Sequence, residues 1–443
     1  MKILLKIRCG KEENAMTAAA ALKERIARGD YDARFAVLYG REAVEKQRRR
    51  YSEAVDGFTA AFGEAEQLIL FSAPGRTEIG GNHTDHNHGR VLAASVNLDV
   101  IAVAAPRRDA IIRVQSKGYD MDTVVLGDWE VQEAEKNHSA SLIRGVAARF
   151  AQLGYAVGGF DAYTTSDVLK GSGLSSSAAF EVLIGTILNG LYNDGTVSAV
   201  EIAKAAQYAE NVYFGKPSGL MDQTASSVGG IVTIDFADPE RPVIRAVDFD
   251  FASCGHKLCI VDTGGNHADL THEYAAVTVE MRAAANMLGV DFLRDTTPDK
   301  LISIIPALRE KHGDRAVLRA LHFFGDNERV VRQVAALEAG DFGEFKRLVV
   351  ESGHSSFEYL QNVYAASDVQ FQGLSIALAL AQRVLDGCGA WRVHGGGFGG
   401  TTQNFVPEDK LEAFRTLMEG VFGEGSCHVL SIRPVGGVCL DKE

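Results

Sequence analysis

The stretch VLKGSGLSSSAAFEVLIGTILNGLYN, Val168–Asn193, puts a strand end, a glycine turn, three serines and an apolar helix in one segment. Glycine lets a backbone turn tightly and approach a ligand closely. The serines stand where the helix begins. Its first unpaired N–H groups therefore point back into the turn, where the helix dipole favours an anion. Serine hydroxyls there also suit Mg2+, a hard cation that takes oxygen ligands. No lysine precedes the serines, so the pattern is not GxxxxGK[ST]. A glycine turn followed by a serine N-cap, with no ligand at all, is the other reading, and it is common in proteins that mix helices and strands.

Upstream, FSAPGRTEIGGNHTDHNHGRVLAASVNLD (Phe71–Asp99) opens and closes apolar. Between those ends it carries Arg76, Glu78, Asn82, His83, Asp85, His86, Asn87 and His88 among glycines. A surface turn needs about two to five residues and no such row of hydrogen-bonding groups. The row suits a pocket that grips a hydroxyl-rich ligand. Downstream, AENVYFGKPSGLMDQTAS (Ala209–Ser226) holds Glu210 and Asp222 in a glycine- and serine-rich setting. A carboxylate there is costly to bury without a cation or a ligand. The two acids suit separate tasks, a base and a Mg2+ ligand, or they are ordinary surface residues. A third cluster, Gly395–Gly400, has five glycines in six positions, more than a hairpin turn requires.

The chain has 443 residues, roughly two domains' worth, and 46% of them are hydrophobic. Residues 12–64 are expected to be helical, an extension ahead of the chemistry. Strands are expected from Leu68 onward, with a domain change near 240–255 at the turn residues Asp238–Pro242. The apolar patch near the start is too short for a secretory signal, and Met16 is an alternative start. A cytoplasmic protein is expected. A formal charge of −13 argues against nucleic acid and anionic membranes as partners. The basic run Lys46–Arg50 reads as a solvated helix face. Six scattered cysteines without a CxxC pair point to neither zinc nor a disulfide framework.

Taken together and in order, these motifs resemble the galactokinase branch of the GHMP small-molecule kinases. That family's signature GRVNLIGEHTDYNGG is matched by GRTEIGGNHTDHNHG at Gly75–Gly89. Its GGGLSSSAS loop is matched by GSGLSSSAA at 171–179, its GxMDQ by Gly219–Gln223, and its GGGFGG by Gly395–Gly400. The resemblance runs from about residue 70 to the C-terminus. It implies an α+β, two-domain kinase: a ribosomal protein S5 domain 2-like N-terminal domain (66–245) and an α/β C-terminal domain (246–443). The active site lies between them, and residues 1–65 form a helical extension.

The implied reaction is ATP-dependent phosphorylation of a sugar at its anomeric hydroxyl, with galactose as first choice. Galacturonate or another sugar of the same family is the alternative, and a non-catalytic galactose- and ATP-binding sensor is the reading from another class. By position, Asp222 matches the catalytic aspartate and Arg76 the arginine against it. His83, Asp85, Gly219 and Tyr274 match sugar-binding positions. Gly171, Ser172, Gly173, Leu174, Ser175, Ser176 and Ser177 match the phosphate-cradling loop. Ser177 and Glu210 match the Mg2+ ligands, and a monomer or weak homodimer is expected.

The chain also departs from that signature, whose LIG becomes Ile79–Gly80–Gly81. Glu78 stands for its asparagine, Asn82 for its glutamate and His86 for its tyrosine. The family's glutamate accepts from the sugar's 6-hydroxyl, so Asn82 is expected to face that part of the sugar.

Overall fold

The computed structural model describes residues 17–169, 173–265 and 270–442. Gly171 and Ser172 therefore lie outside the described residues. The strands are β1 (Ile69–Gly80), β2 (Arg90–Pro106), β3 (Ile111–Ser116), β4 (Met121–Val125), β5 (Phe160–Ser166), β6 (Ile231–Asp235), β7 (Val243–Val247), β8 (His256–Asp262), β9 (Ala390–Val393), β10 (Thr401–Pro407), β11 (Cys427–Leu430) and β12 (Val438–Cys439). The first sheet runs β12-β1-β2-β5-β3-β4, with β6 also on β2 and β7 on β6. The second runs β11-β8-β10-β9. Among the described residues only the β3–β5 pair is parallel.

The framework of the first sheet is a long β1–β2 hairpin. The sequence suggests separate strands at Val91–Val96 and Val100–Ala105, but both belong to the 17-residue β2. Its far edge is shared by two partners in turn, β6 along Arg90–Ala94 and β5 along Val100–Pro106. Strand β1 also runs further than expected. Arg76 and Glu78 lie on it, paired with Ser95 and Ala93, and register shifts occur at Pro74/Arg76 and Glu78/Gly80. Bulges of this kind re-aim side chains next to functional sites. Only Gly81–Gly89 is loop, wound into a short 3-10 turn at Asp85–Asn87.

Side chains of a strand alternate between faces. Phe71, Ala73, Ala102 and Ala104 face one core, with Ile143, Phe150, Val182 and Ile187 from the helices Ser139–Gln152 and Ser176–Tyr192. Leu70, Ile101, Val103 and Ala105 face the opposite way, into a core completed by Leu22, Ile26, Phe35, Tyr51, Val55 and Phe58. Those residues come from the helices Ala18–Arg28, Asp32–Tyr39 and Val44–Phe62 of the extension. The extension thus covers one face of the first sheet.

The turn Asp238–Pro242 joins β6 to β7 within the first sheet, so the division expected after residue 245 falls inside β7. The chain end also returns to the first sheet, where β12 pairs with β1. Among the described residues no helix is long and apolar enough to cross a membrane.

Candidate active site

Arg76 is aimed by its place on β1. Its backbone N–H donates to the Leu174 carbonyl at 3.0 Å. Its Nε and Nη2 donate to the two oxygens of Asp222, each at 2.7 Å, and Nη1 donates to the Gly173 carbonyl. Asp222 opens the helix Met221–Val228 and also accepts from the Ser175 hydroxyl. Burial alone would raise the Asp222 carboxyl, but Arg76 and Ser175 hold it below the usual carboxylate range. It is therefore an anion at neutral pH. Its side chain keeps 31% exposure, enough to meet a ligand.

The turn at Gly173–Ser175 closes over this pair. Leu174 is fully buried, Gly173 has φ +72, and Ser175 has φ 55, unusual for a residue with a side chain. That conformation turns the Ser175 hydroxyl toward Asp222 instead of capping the helix. Strain at such a position is characteristic of functional sites. The helix amino end is left without a side-chain cap. Ser176 and Ser177 at that end line a cavity of about 810 Å3, with Phe180, Phe214, Thr164–Val168 and, from the extension, Lys46 and Arg49. A phosphorylated, ring-bearing ligand fits its size, its apolar walls and its open helix end. The basic run read as a solvated face thus contributes to a cavity wall.

Glu210 sits where the helix Ala199–Tyr208 widens into a π-helical turn, Ala209–Phe214. Such turns occur often at functional sites. Its Oε1 accepts from Lys216 Nζ at 2.8 Å, and its Oε2 from Gln223 Nε2 at 2.9 Å. Neither Lys216 nor Gln223 was singled out from sequence, although Gln223 stands beside Asp222 in the GLMDQ motif.

On the other side of Asp222 lies the signature loop. The Asp85 carboxylate abuts Gly219, where an added Cβ would come within 2.7 Å of Asp85 Oδ2. His83 has φ 56 and donates through Nε2 to the Gly396 carbonyl at 2.9 Å. Burial pushes its imidazolium well below the usual histidine range. The ring is thus neutral, with Nδ1 left as an acceptor. Tyr274 donates to the Gly397 carbonyl at 2.8 Å and packs edge-on to Phe398. Burial raises its phenol to about 12.

The third glycine cluster forms the turn between β9 and β10, and its carbonyls receive these donors. A Cβ at Gly396 would meet the Tyr274 ring at 2.4 Å, and one at Gly397 would meet the Asn362 carbonyl at 2.0 Å. Its glycines are thus required by close approach.

Asn82 is fully buried, and both its N–H groups and its carbonyl are engaged. Nδ2 donates to Glu78 Oε1 at 3.0 Å and to the Gly395 carbonyl at 2.6 Å. Oδ1 accepts from Asn362 at 2.8 Å and from Ser356 at 3.3 Å. Glu78 in turn accepts from Arg392 at 2.8 Å.

The chain is similar to known proteins over most of its length. Residues 56–106 match the galactokinase galactose-binding signature, and residues 141–230 match the GHMP kinases N-terminal domain. A galactokinase of Streptomyces coelicolor is 32% identical over 378 residues, covering 84% of this chain and 94% of that protein. The chain belongs to the galactokinase family. It is accordingly an ATP-dependent sugar kinase. A galactokinase of Glaesserella parasuis is also 32% identical, over 82% of this chain and 91% of that protein. Among solved structures, Lactococcus lactis galactokinase complexed with galactose shares the fold, with a TM-score of 0.75 at 24% identity. It is matched over 88% of this chain and 99% of its own length. A mevalonate kinase shares the fold more distantly, with a TM-score of 0.58 at 14% identity, over 82% of this chain and 99% of its own.

Proposed function

We propose that this chain transfers the γ-phosphoryl group of ATP to the anomeric hydroxyl of galactose, giving galactose 1-phosphate and ADP. The observation that carries the reading is the bidentate Arg76–Asp222 pair, flanked by the open helix end at Ser176 and by the signature loop. The anomeric hydroxyl gives its proton to Asp222 as its oxygen bonds to the γ-phosphorus, and the bond from that phosphorus to the bridging oxygen breaks to release ADP. Arg76 keeps Asp222 ionised and offsets charge on the transferring group. His83 Nδ1 and Asp85 accept from sugar hydroxyls, and Gly219 leaves them room. The glycine turn and the serines take the phosphates.

Mg2+ is part of this proposal. Among the described residues no cluster of three or more metal-binding side chains exists. That fits a cation held mainly by nucleotide phosphates and water, with one or two protein oxygens. Glu210 and the Ser177 hydroxyl are the donors that suit it. When bound, such an ion neutralises phosphate charge and orients the transferring group.

Asn82 gives no support to a uronic acid substrate, because its hydrogen-bonding groups are all spent on the protein. A sugar contact would have to displace one of them. Galactose remains the favoured sugar. The test is ADP release over a panel of galactose, galacturonate, N-acetylgalactosamine and arabinose. Galactose is expected to give the highest kcat/KM, and no release on any of them sinks the reading. Asp222→Asn is expected to lower kcat by ~10²–10⁴ while ATP binding changes less than about threefold. Full turnover in that variant would remove Asp222 from the chemistry.

A further inference from the structure

Beside Glu210 the fold buries a second carboxylate that the proposed chemistry does not use. Glu181, on the helix Ser176–Tyr192, has no solvent exposure, and neither has Gln223. The Gln223 amide nitrogen donates in two directions, 3.1 Å to Glu181 Oε2 and 2.9 Å to Glu210 Oε2. The second oxygen of Glu181, Oε1, and the amide oxygen of Gln223 are both buried without any donor. Two orphaned acceptors on hydrogen-bonded planar groups are an unfavourable arrangement. A single proton on Glu181 Oε1 removes both orphans. An undissociated carboxyl facing a primary amide closes a ring of two hydrogen bonds: amide N–H to carboxyl C=O, and carboxyl O–H to amide C=O.

We propose that Glu181 is a positioning residue, an undissociated acid that pairs with Gln223 and so aims the second amide N–H at the Glu210 carboxylate. Its significance for magnesium rests on Glu210 being the metal-facing acid; the pairing itself does not. Gln223 bridges Glu181 and Glu210 by hydrogen bonds. The titratable groups that act on Glu181 are Glu210, Lys216 and Asp222. Burial, and then the charge of Glu210, push the Glu181 carboxyl well above the usual range. The nearest ammonium, Lys216, is bonded to Glu210 instead. Turned over, the Gln223 amide would present its oxygen to the Glu210 carboxylate and lose that bond.

Infrared spectroscopy of the free protein near pH 8 tests the protonation directly. A carbonyl stretch of an undissociated carboxyl is expected in the wild type, shifted by 13C-glutamate labelling and missing in Glu181→Gln. A wild-type spectrum without that band overturns the proposal. The positioning role is read from the Mg2+ concentration needed for half-maximal nucleotide binding by calorimetry and for half-maximal activity. Glu181→Gln can form both ring bonds and is expected to stay within about threefold of wild type, whereas Glu181→Ala is expected to need ~10-fold more Mg2+, with kcat at saturating Mg2+ nearly unchanged. If Glu181→Ala does not fold, Gln223→Met removes the N–H aimed at Glu210 and carries the same expectation on the Mg2+ requirement. An unchanged Mg2+ requirement in these variants, or a Glu181→Gln variant as impaired as Glu181→Ala, overturns the role. If the infrared band is found in a chain with no kinase activity, the functional reading fails and the pairing stands.

Discussion

At the scale of single residues, the site is a balance between burial and charge on Asp222. Enclosure alone would protonate it, and Arg76 prevents this. The consequence can be read in the pH profile. The folded carboxyl titrates below its ordinary value of 3.8, and the anion is the active form. The acid limb of kcat/KM should therefore stay flat from neutrality to about pH 5, apart from the titration of substrates. Arg76→Gln removes the cation but leaves the burial, so the Asp222 limb should move upward, with kcat lowered as well. An acid limb that does not shift between wild type and Arg76→Gln would show that Arg76 does not set the charge of Asp222. The contact between Asp222 and Arg76 was legible in the sequence, because both stand in recognisable motifs. It assigned Ser175 to the phosphate cradle alone. Its bond to Asp222 depends on a left-handed backbone that no residue type announces.

At the scale of elements, the signature segment is the informative case. Its row of polar residues reads as a pocket, and the structure divides the row: Arg76 and Glu78 lie on β1 and only the later part is loop. Alternation would have been the clue, but every residue of β1 is buried, so polar side chains on it reach into other protein groups instead of water. The family order, asparagine then glutamate four positions later, is reversed here as Glu78 and Asn82. The structure gives the two side chains a direct hydrogen bond at 3.0 Å, so an acid and an amide are both retained with their places exchanged. Arg392, itself fully buried, is bonded to the acid in its present position. Asn82→Glu alone would bring two carboxylates together and break the bond to the Gly395 carbonyl. It should cost roughly 2–4 kcal/mol in chemical unfolding. The double exchange Glu78→Asn with Asn82→Glu restores one acid and one amide, and should recover ~1–3 kcal/mol relative to the sum of the single changes. Strict additivity in that cycle would mean that the two positions do not act as a pair.

At the scale of the whole molecule, the extension, the first sheet and the chain end are joined at one buried acid. Asp99, on β2, is completely enclosed. It accepts from Arg50 of the extension at 2.6 Å, from Tyr39 at 2.5 Å, from Arg433 near the C-terminus at 3.0 Å, and from Ser72 on β1. Burial would raise its carboxyl, but Arg50 and Arg433 hold it below the usual range. The helix that carries Arg50 also carries Lys46 and Arg49, which line the cavity beside Ser176 and Ser177. The joint therefore holds a wall of the candidate nucleotide site. Asp99→Asn leaves the buried Arg433 without its anion and Arg50 with only its longer contact to Asp167, at 3.5 Å. Breaking a buried ion pair in this way costs ~3–5 kcal/mol. The sign with pH follows from the direction of the shift. A depressed carboxyl contributes stability above the unfolded value near 3.9 and loses it as pH falls through the lower folded value. The stability gap between wild type and Asp99→Asn should thus be constant from about pH 7 to 5 and close below about pH 4. Chemical unfolding at several pH values measures the gap, and proteolysis within residues 17–62 should be faster in the variant. A gap that is absent at pH 7, or that widens on acidification, would show that Asp99 does not hold the extension to the sheet.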